Sequence, residues 1–529
     1  MRERGTEGPR DGGVKERRKN SLALGVVSNW ASHVVFVVSG FVLPRMIDRE
    51  AGQEALGVWD FAWSLTAYTG LFSLGIASAV GRYVARFAKL KDDASLNRMY
   101  SASVILLNAG FVIGLGFVGV VYALTPRLVG TKDPALVALA LQLTAILGVA
   151  AAVQLPLSAY SGALSGLQRF ELRTIIRIGV SAVSLGMMIV LLVGGAGLEW
   201  VAGTFLFSEL GIGVLNWMAV RRECPRLRFA PGLVDGAAIK DALGLGSKTA
   251  LQGLSRMGLY QTSGLIVSGF LGPGALAVYS RQRALTAFMS KLMATYGNVF
   301  APEASVLEAK EDLEGLRALV IKSSRFGFAI SLPLVAAFCL CGSAVLQIWM
   351  GPGYEAPLVL TLMMLGHLMS YAQRGTYNIL VGLNRHGRSA LWELGATAGS
   401  VMLGLLFVGV LGWGTWGAAL AVGLAVTCGG GLAPSVISCR HLGMNYAAYL
   451  RQVLPVPLLA SLPWVAALAG ARWFFPEQAY AQLGAGVGVG AMVTIPIYWR
   501  HILTDSLRQR VRGRFRRWIG GAGVPKAST

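Results

Sequence analysis

YSASVILLNAGFVIGLGFVGVVYAL, residues Tyr100–Leu124, has no Asp, Glu, Lys or Arg in 25 positions. At about 1.5 Å of rise per residue, a helix of that length is more than long enough for the roughly 30 Å hydrocarbon core of a bilayer. Working outward from it, the same character recurs in thirteen other stretches, roughly 22–43, 56–80, 135–160, 174–194, 198–220, 242–270, 275–300, 324–348, 357–381, 391–411, 415–438, 452–470 and 480–500. Of the 529 residues, 54% are hydrophobic and 14% charged, against about 25% charged in ordinary soluble domains. Unpaired backbone groups are intolerable in lipid, so the prediction is an all-α integral membrane protein of about 14 transmembrane helices.

The net charge of +21 would suggest nucleic acid in a soluble protein. Here its distribution gives another answer. With an even helix count and the N-terminus inside, the segments 1–21, 81–99, 161–177, 221–241, 301–323, 382–390, 439–451 and 500–529 face the cytoplasm and hold 35 of the 47 Lys and Arg residues. The opposite side holds Arg45, Arg49, Arg127, Lys132 and Arg472. This asymmetry orients the chain with both termini cytoplasmic. The basic run from Arg508 to Trp518 reads as a cluster resting on anionic membrane lipid, and no nucleic-acid partner is expected. The hydrophobic stretch after the tail 1–21 is too long for a signal-peptide core, so it reads as a retained anchor. Cys224, Cys339, Cys341, Cys428 and Cys439 lack disulfide or metal-ligand spacing and are expected as free thiols; no metal site is predicted.

The chain repeats itself. Val38-Ser39-Gly40-Phe41 returns as Val267-Ser268-Gly269-Phe270, each followed by a proline, Pro44 and Pro273. Ala55-Leu56-Gly57-Val58-Trp59 is echoed by Ala275-Leu276-Ala277-Val278-Tyr279. Lys91-Asp92-Asp93 corresponds to Lys310-Glu311-Asp312, and Gly166-Leu167-Gln168-Arg169 to Gly382-Leu383-Asn384-Arg385. The echoes keep their order at offsets near 220 residues. Six helices per copy is even, so both copies start on the same side, which predicts two parallel-repeat six-helix lobes plus two C-terminal helices. The expected division is a basic cytoplasmic tail 1–21, an N-lobe 22–220, a cytoplasmic linker 221–241, a C-lobe 242–440, helices 13 and 14 in 441–500, and a basic cytoplasmic tail 501–529. No connection is long enough to form a domain. Two-lobed architectures of this kind belong to transporters whose cargo site lies between repeats.

An ionisable residue in hydrocarbon is a functional-site hypothesis, because leaving it unpaired costs at least about 2.5 kcal/mol. Lys248, Gln252 and Arg256 fall at i, i+4, i+8 on helix 7, with Arg256 too far from either end to snorkel. Arg283, Lys291 and Asn298 share a face of helix 8, and His367, Tyr371, Arg374 and Asn378 a face of helix 10. Helix 1 carries Ser28, Asn29, Ser32 and His33. The bundle's acids are Asp60, Glu209 and Glu393, against six bases in helices 7, 8 and 10. Lys248 and Arg281 lie near helix ends, where an interfacial anchor is an equal reading. Glu209 reads equally as a structural ion-pair partner, and His33 as a hydrogen-bonded core residue. A cavity with a surplus of bases attracts anions, and arginine suits phosphate because its guanidinium binds two oxygens at once.

Several motifs sit on this frame: Leu43-Pro44-Arg45, Gly81-Arg82-Tyr83-Val84-Ala85, Gly166-Leu167-Gln168-Arg169-Phe170, Leu271-Gly272-Pro273 with Ala277-Val278-Tyr279, Ala301-Pro302, and Ile348-Trp349-Met350-Gly351-Pro352-Gly353-Tyr354. In this order the chain resembles the multidrug/oligosaccharidyl-lipid/polysaccharide (MOP) exporter superfamily over about 22–500, and within it the Wzx-like polysaccharide flippases. The resemblance implies a bacterial cytoplasmic (inner) membrane protein, not an enzyme, that moves an undecaprenyl-diphosphate-linked oligosaccharide between leaflets for surface polysaccharide or lipopolysaccharide biosynthesis. It also implies lobes that rock to alternate access. The basic cavity residues of the family would map onto Arg256, Arg283, Lys291 and Arg374, with Lys248, Gln252, Asn29 and His33 as further candidates for cargo contact. No cofactor is implied. Coupling to a proton or sodium gradient is, with Glu209 and Asp60 as candidate carriers. Many relatives carry an acid in helix 7 where Gln261 and Ser263 stand here. Lipid-linked oligosaccharide and membrane lipids are the expected partners, with other polysaccharide-assembly proteins beside them. The alternatives are a drug or metabolite antiporter of the same superfamily, disfavoured by the surplus of bases, and a membrane-embedded polymerase or ligase, disfavoured by short outer loops.

Overall fold

The computed structural model describes residues 40–73, 75–502, 508–509 and 512–513, without the side chains of 245–252 and 256. The basic tail 1–21, Asn29 and His33, most of the first predicted span and most of the C-terminal tail therefore lie outside the described residues, as do the side chains of Lys248, Gln252 and Arg256.

Among the described residues every regular element is a helix. They are α1 (40–66), α2 (Ile76–Leu90), α3 (Asp93–Leu128), α4 (Pro134–Gly166), α5 (Phe170–Val193), α6 (Leu198–Glu223), α7 (Gly236–Leu271), α8 (Pro273–Gly297), α9 (Phe300–Ala309), α10 (Leu313–Met350), α11 (Pro357–Ala372), α12 (Arg374–Gly382), α13 (Gly387–Gly404), α14 (Gly414–Ala425), α15 (Ala433–His441), α16 (Tyr446–Val453), α17 (Pro455–Phe474) and α18 (Ala479–His501). Among the described residues ten helical runs are long and apolar enough to cross a membrane, and each covers a predicted span. Predicted spans 242–270 and 275–300 form α7 and α8, the carriers of two polar stripes. Span 357–381 is divided between α11 and α12 at Gln373. Span 56–80 is interrupted by a 3-10 stretch, Ala67–Ser73. Two expected loops differ. Residues 44–55 are helical within α1, with Gly52 alone at a φ of 86°, and the segment 439–451 contains most of α16.

The internal repeat is written into the backbone. Among the described residues the non-glycine positions with positive φ are Lys91 (55°), Gln168 (59°), Glu311 (55°) and Asn384 (52°), which form two pairs in the repeat. Each ends a helix with the same motif, in which the next amide reaches back five residues: Asp92 to Phe87 O (3.2 Å), Asp312 to Leu307 O (3.0 Å), Arg169 to Leu164 O (2.9 Å) and Arg385 to Leu380 O (2.8 Å). Asp92 and Asp312 then cap the following helices, accepting from Ser95 N (3.0 Å) and Gly315 N (2.8 Å). The structural partner of Lys91 is thus Glu311, one residue beyond the partner suggested by the sequence echo. Gly52 and Gly272 (86° and 88°), Gly130 and Gly351 (75° and 92°), and Gly195 and Gly412 (73° and 66°) extend the pairing to five turns.

Contacts divide the chain into two compact units, one reaching to Ser280 and including Val408–Thr415, the other comprising Arg281–Phe407 and Trp416 onward. In the first, α2 crosses α4 so closely that a Cβ on Gly162 or Gly166 would run into Ala77 O or Gly81 O. Small residues allow such approach where lipid gives no hydrophobic drive. The basic connection 221–241 is not a loose linker but a strap along the first turns of α3. Arg226 lies 3.3 Å from Asp93, the Arg228 amide donates to Asn97 Oδ1 (2.7 Å) and the Ala230 amide to Ser101 Oγ (2.7 Å). Cys224 and Leu227 are buried against Leu96 and Tyr100. The strap ends at Asp235, which caps α7 by accepting from Ala238 N (2.9 Å) and receives two bonds of 2.6 Å from the Arg98 guanidinium. The Arg98 hydrogen bond, then the Ala238 amide, hold the Asp235 carboxyl below the usual carboxylate range. Helix α7 continues along α2, α3 and the 3-10 stretch, with Tyr68 Oη 2.5 Å from Thr262 Oγ1 and Ser268 Oγ donating to Val129 O (2.9 Å). The repeat places helix 7 at the head of the second half, while its packing groups it with the first unit.

The second unit is built around α10. Pro333 lies inside it, so no amide is available there for Ala329 O. Tyr498 of α18 donates to that carbonyl (2.8 Å), Ser461 of α17 lies 2.8 Å from the same hydroxyl, and Trp464 Nε1 donates to Pro333 O (2.8 Å). On the side of α10 towards Leu313, a core of Phe300, Leu316, Leu319, Val320, Ile379 and Leu383 receives Tyr449 and Val453 of α16. All five cysteines are free thiols.

Candidate functional site

Helix α8 has two unlike faces. Gln282, Leu285, Thr286, Met289 and Met293 are buried. That side is fixed by Gln282 Nε2 to Tyr354 O (2.7 Å), Tyr371 Oη to Thr286 O (2.9 Å) and Tyr296 Oη to Ser323 O (2.6 Å). The opposite side runs Arg283, Ala287, Lys291, Thr295, Asn298, with Ala287, Thr295 and Asn298 exposed and the two bases half-buried. The apolar and hydrogen-bonded side fixes the helix's rotation, and the bases are held outward by default.

Helix α12 packs against the end of α8. A Cβ on Gly297 would come within 2.7 Å of Asn378 Nδ2 and 3.0 Å of Arg374 Cγ, so both side chains lie against the end of α8. Six residues separate Lys291 from Gly297, about 9 Å along the axis. The Arg374 guanidinium carbon lies 5.9 Å from the Tyr377 ring centroid. Arg283 and Lys291 therefore share the outward side of α8, while Arg374 and Asn378 meet the same helix at its buried Gly297.

The predicted helix-10 stripe does not survive whole. The interruption at Gln373 separates its ends: His367 and Tyr371 are buried, with His367 Nδ1 2.7 Å from Met363 O, while Arg374 and Asn378 reach the surface. Arg281 is 4% exposed and lies beside the Trp349 ring (6.0 Å), so it is a packed residue rather than an interfacial anchor. In the first unit, Glu209 hydrogen-bonds Gln154 and lies in the field of Arg177; Asp60 is half-buried on α1. No cluster of His, Cys, Asp and Glu able to hold a metal ion occurs among the described residues.

Sequence reasoning passed over Gln373, Ser324, Thr376 and Tyr449. Ser324 Oγ donates to Gln373 Oε1 (3.0 Å) and lies 2.8 Å from Thr376 Oγ1, Tyr449 Oη donates to Ser324 Oγ (2.6 Å), and Gln373 Nε2 donates to Tyr449 Oη (2.9 Å). A glutamine in an apolar run beside Arg374 was the available signal.

The sequence profile of a family described as "Polysaccharide biosynthesis protein" matches residues 110–357. Uncharacterized membrane protein EpsK of Bacillus subtilis (strain 168) is 22% identical over 313 residues, covering 59% of this chain and 62% of that protein, less than two thirds of its length. Among solved structures, an inward-facing multidrug resistance MATE family transporter of the MOP superfamily aligns with a TM-score of 0.66 at 16% identity, covering 78% of this chain and 95% of the other. The lipid II flippase MurJ in an inward closed conformation aligns with a TM-score of 0.67 at 12% identity, covering 90% and 100%. The chain shares its fold with this transporter of the MOP superfamily and with MurJ. A MOP superfamily transporter from Pyrococcus furiosus also aligns, with a TM-score of 0.55 at 16% identity, covering 81% and 94%. At these identities the likenesses show a shared all-α fold.

Proposed function

We propose that this protein flips an undecaprenyl-diphosphate-linked oligosaccharide across the bacterial cytoplasmic membrane for surface polysaccharide assembly. The observation that carries the reading is the outward side of α8, where Arg283 and Lys291 are half-buried, with Arg374 of α12 packed against the end of the same helix. A diphosphate and its sugars cannot cross hydrocarbon unaided, because their hydration would be lost without replacement. Cationic side chains replace it, and guanidinium groups can grip a phosphate through two oxygens. Arg256, on α7, is a further candidate for cargo contact from its position in the sequence. The basic segments face the cytoplasm in this reading, both termini with them, and the cargo enters from that side. Asp60 and Glu209 are the carboxylates available to couple a proton or sodium ion. The match to a polysaccharide biosynthesis family supports the choice of cargo class.

The test is the pool of lipid-linked saccharides in cells lacking the protein, compared with cells re-expressing it or its Arg256→Ala and Arg374→Ala forms. The expected result is accumulation of undecaprenyl-diphosphate oligosaccharide that only the intact form clears. An unchanged pool, with raised sensitivity to toxic small molecules, would establish a drug exporter instead.

A further inference from the structure

Arg374 is the first residue of α12 and follows directly on the interruption at Gln373, so its direction depends on how that interruption is held. Three neighbours hold it, all in the same unit. Gln373 itself is fully buried (0% exposed), and so are Ser324 and Thr376. Its amide group spans two helices, accepting from Ser324 Oγ of α10 and donating to Tyr449 Oη of α16, and Tyr449 in turn donates to Ser324. The backbone is gripped as well. A Cβ on Gly327 would run into Ala372 O, and one on Gly375 would meet Ser323 Cβ at 2.9 Å and the Phe300 ring at 3.1 Å. Helix α11 therefore ends against α10, and α12 begins in a fixed direction.

A buried glutamine amide carries two N–H donors and two acceptor lone pairs, so it needs more than one partner. Here three side chains from three elements close a ring of hydrogen bonds, and a ring fixes orientation better than separate bonds do. Resting on the flippase reading above, we propose that Gln373, Ser324 and Tyr449 are positioning residues that aim Arg374 at the diphosphate headgroup of the cargo. Tyr449 acts from α16 through Gln373 and Ser324. Residues that act through another should lose their effect when that other residue is gone.

The experiment is a double-mutant cycle on the purified full-length chain in nanodiscs, with farnesyl diphosphate as the probe and its affinity read by calorimetry. Tyr449→Phe keeps the buried ring and removes only the hydroxyl. It is expected to weaken binding about fivefold in the parent, a typical coupling for contacting residues, and to have no further effect in the Arg374→Ala background. The midpoint of thermal unfolding, followed in parallel, should fall equally in both backgrounds. Ser324→Ala serves as a second variant with the same expected pattern should Tyr449→Phe fail to fold. Equal loss of affinity with and without Arg374 would overturn the positioning role and leave the cargo site standing. Unchanged affinity in Arg374→Ala itself would overturn the site reading, and the positioning role with it.

Discussion

The bond from Tyr498 to Ala329 O makes a quantitative claim about helices α17 and α18. Pro333 lacks the amide that would normally reach four residues back to Ala329, and the phenol fills that gap at 2.8 Å. Tyr498→Phe removes the donor and leaves a carbonyl without one in the low-dielectric interior. An orphaned buried acceptor costs about 1–3 kcal/mol, while measured interhelical bonds in membranes average nearer 0.6 and reach about 1.7. The expected loss is about 1 kcal/mol. In the Pro333→Ala background the restored amide satisfies Ala329 O, so Tyr498→Phe should then cost less than about 0.5 kcal/mol. The contact with Ser461 disappears in both backgrounds and cancels from the difference, and Ser461 retains its bond to Pro457 O (2.7 Å). Unfolding of the purified protein by SDS in mixed micelles, followed by circular dichroism, measures all four corners of the cycle. Equal losses in both backgrounds, or no loss in the parent, would refute the account of the docking.

The repeat predicts matched energetics. Gly166→Ala and Gly382→Ala each place a methyl against a backbone carbonyl of the neighbouring helix, Gly81 O and Ala301 O, and each should destabilise by about 1–3 kcal/mol, whereas Gly179→Ala, with nothing within 4 Å, should be silent in the same denaturation assay. Asp235 predicts a pH dependence: its folded-state carboxyl titrates below the unfolded value, so its stabilising effect is full above the unfolded value and is lost as pH falls through the folded one. The stability difference between the parent and Asp235→Asn should accordingly shrink on acidification, and a difference that stayed constant with pH would show that Asp235 acts by packing alone.

How much of this was legible follows from the kind of information each feature carries. Residues 100–124 announce a span because hydropathy is a local property, and ten helices confirm such stretches. The repeat was legible at its turns, since Gln168 and Asn384 sit where the backbone must turn left-handed and the surrounding words recur. The stripe Arg283, Lys291, Asn298 was legible because it lies on one helix with one period. The link from that stripe to Arg374 was not, since it depends on Gly297 letting α12 approach. Nor was the interruption at Gln373, where no proline marks the spot; as a result His367 and Tyr371 were grouped with residues they do not accompany. The course of 221–241 was not legible for a different reason: its backbone is captured by Asn97 and Ser101, more than 120 residues away in sequence.

Two irregularities in the second unit share a solution. A helix in lipid tolerates a missing or displaced backbone bond only if some other group takes its place. At Pro333 the group is Tyr498, whereas at Gln373 the residue's own backbone bonds persist and Tyr449 holds its side-chain amide. Both tyrosines come from the chain after residue 441, beyond the twelve helices of the repeat. Their side chains are long enough to cross from one helix to the next and apolar enough to do so in a membrane, with one hydroxyl at the tip. The C-terminal elements thus supply a donor to an orphaned carbonyl at the first position and a side-chain partner at the second. One lies inside a long helix with no candidate cargo residue beside it, and the other immediately precedes Arg374. If both were only repairs, removing either hydroxyl would lower stability and nothing more. A change in headgroup affinity confined to Tyr449 would separate the two, and would show that an element added after the repeat had acquired a role in recognition.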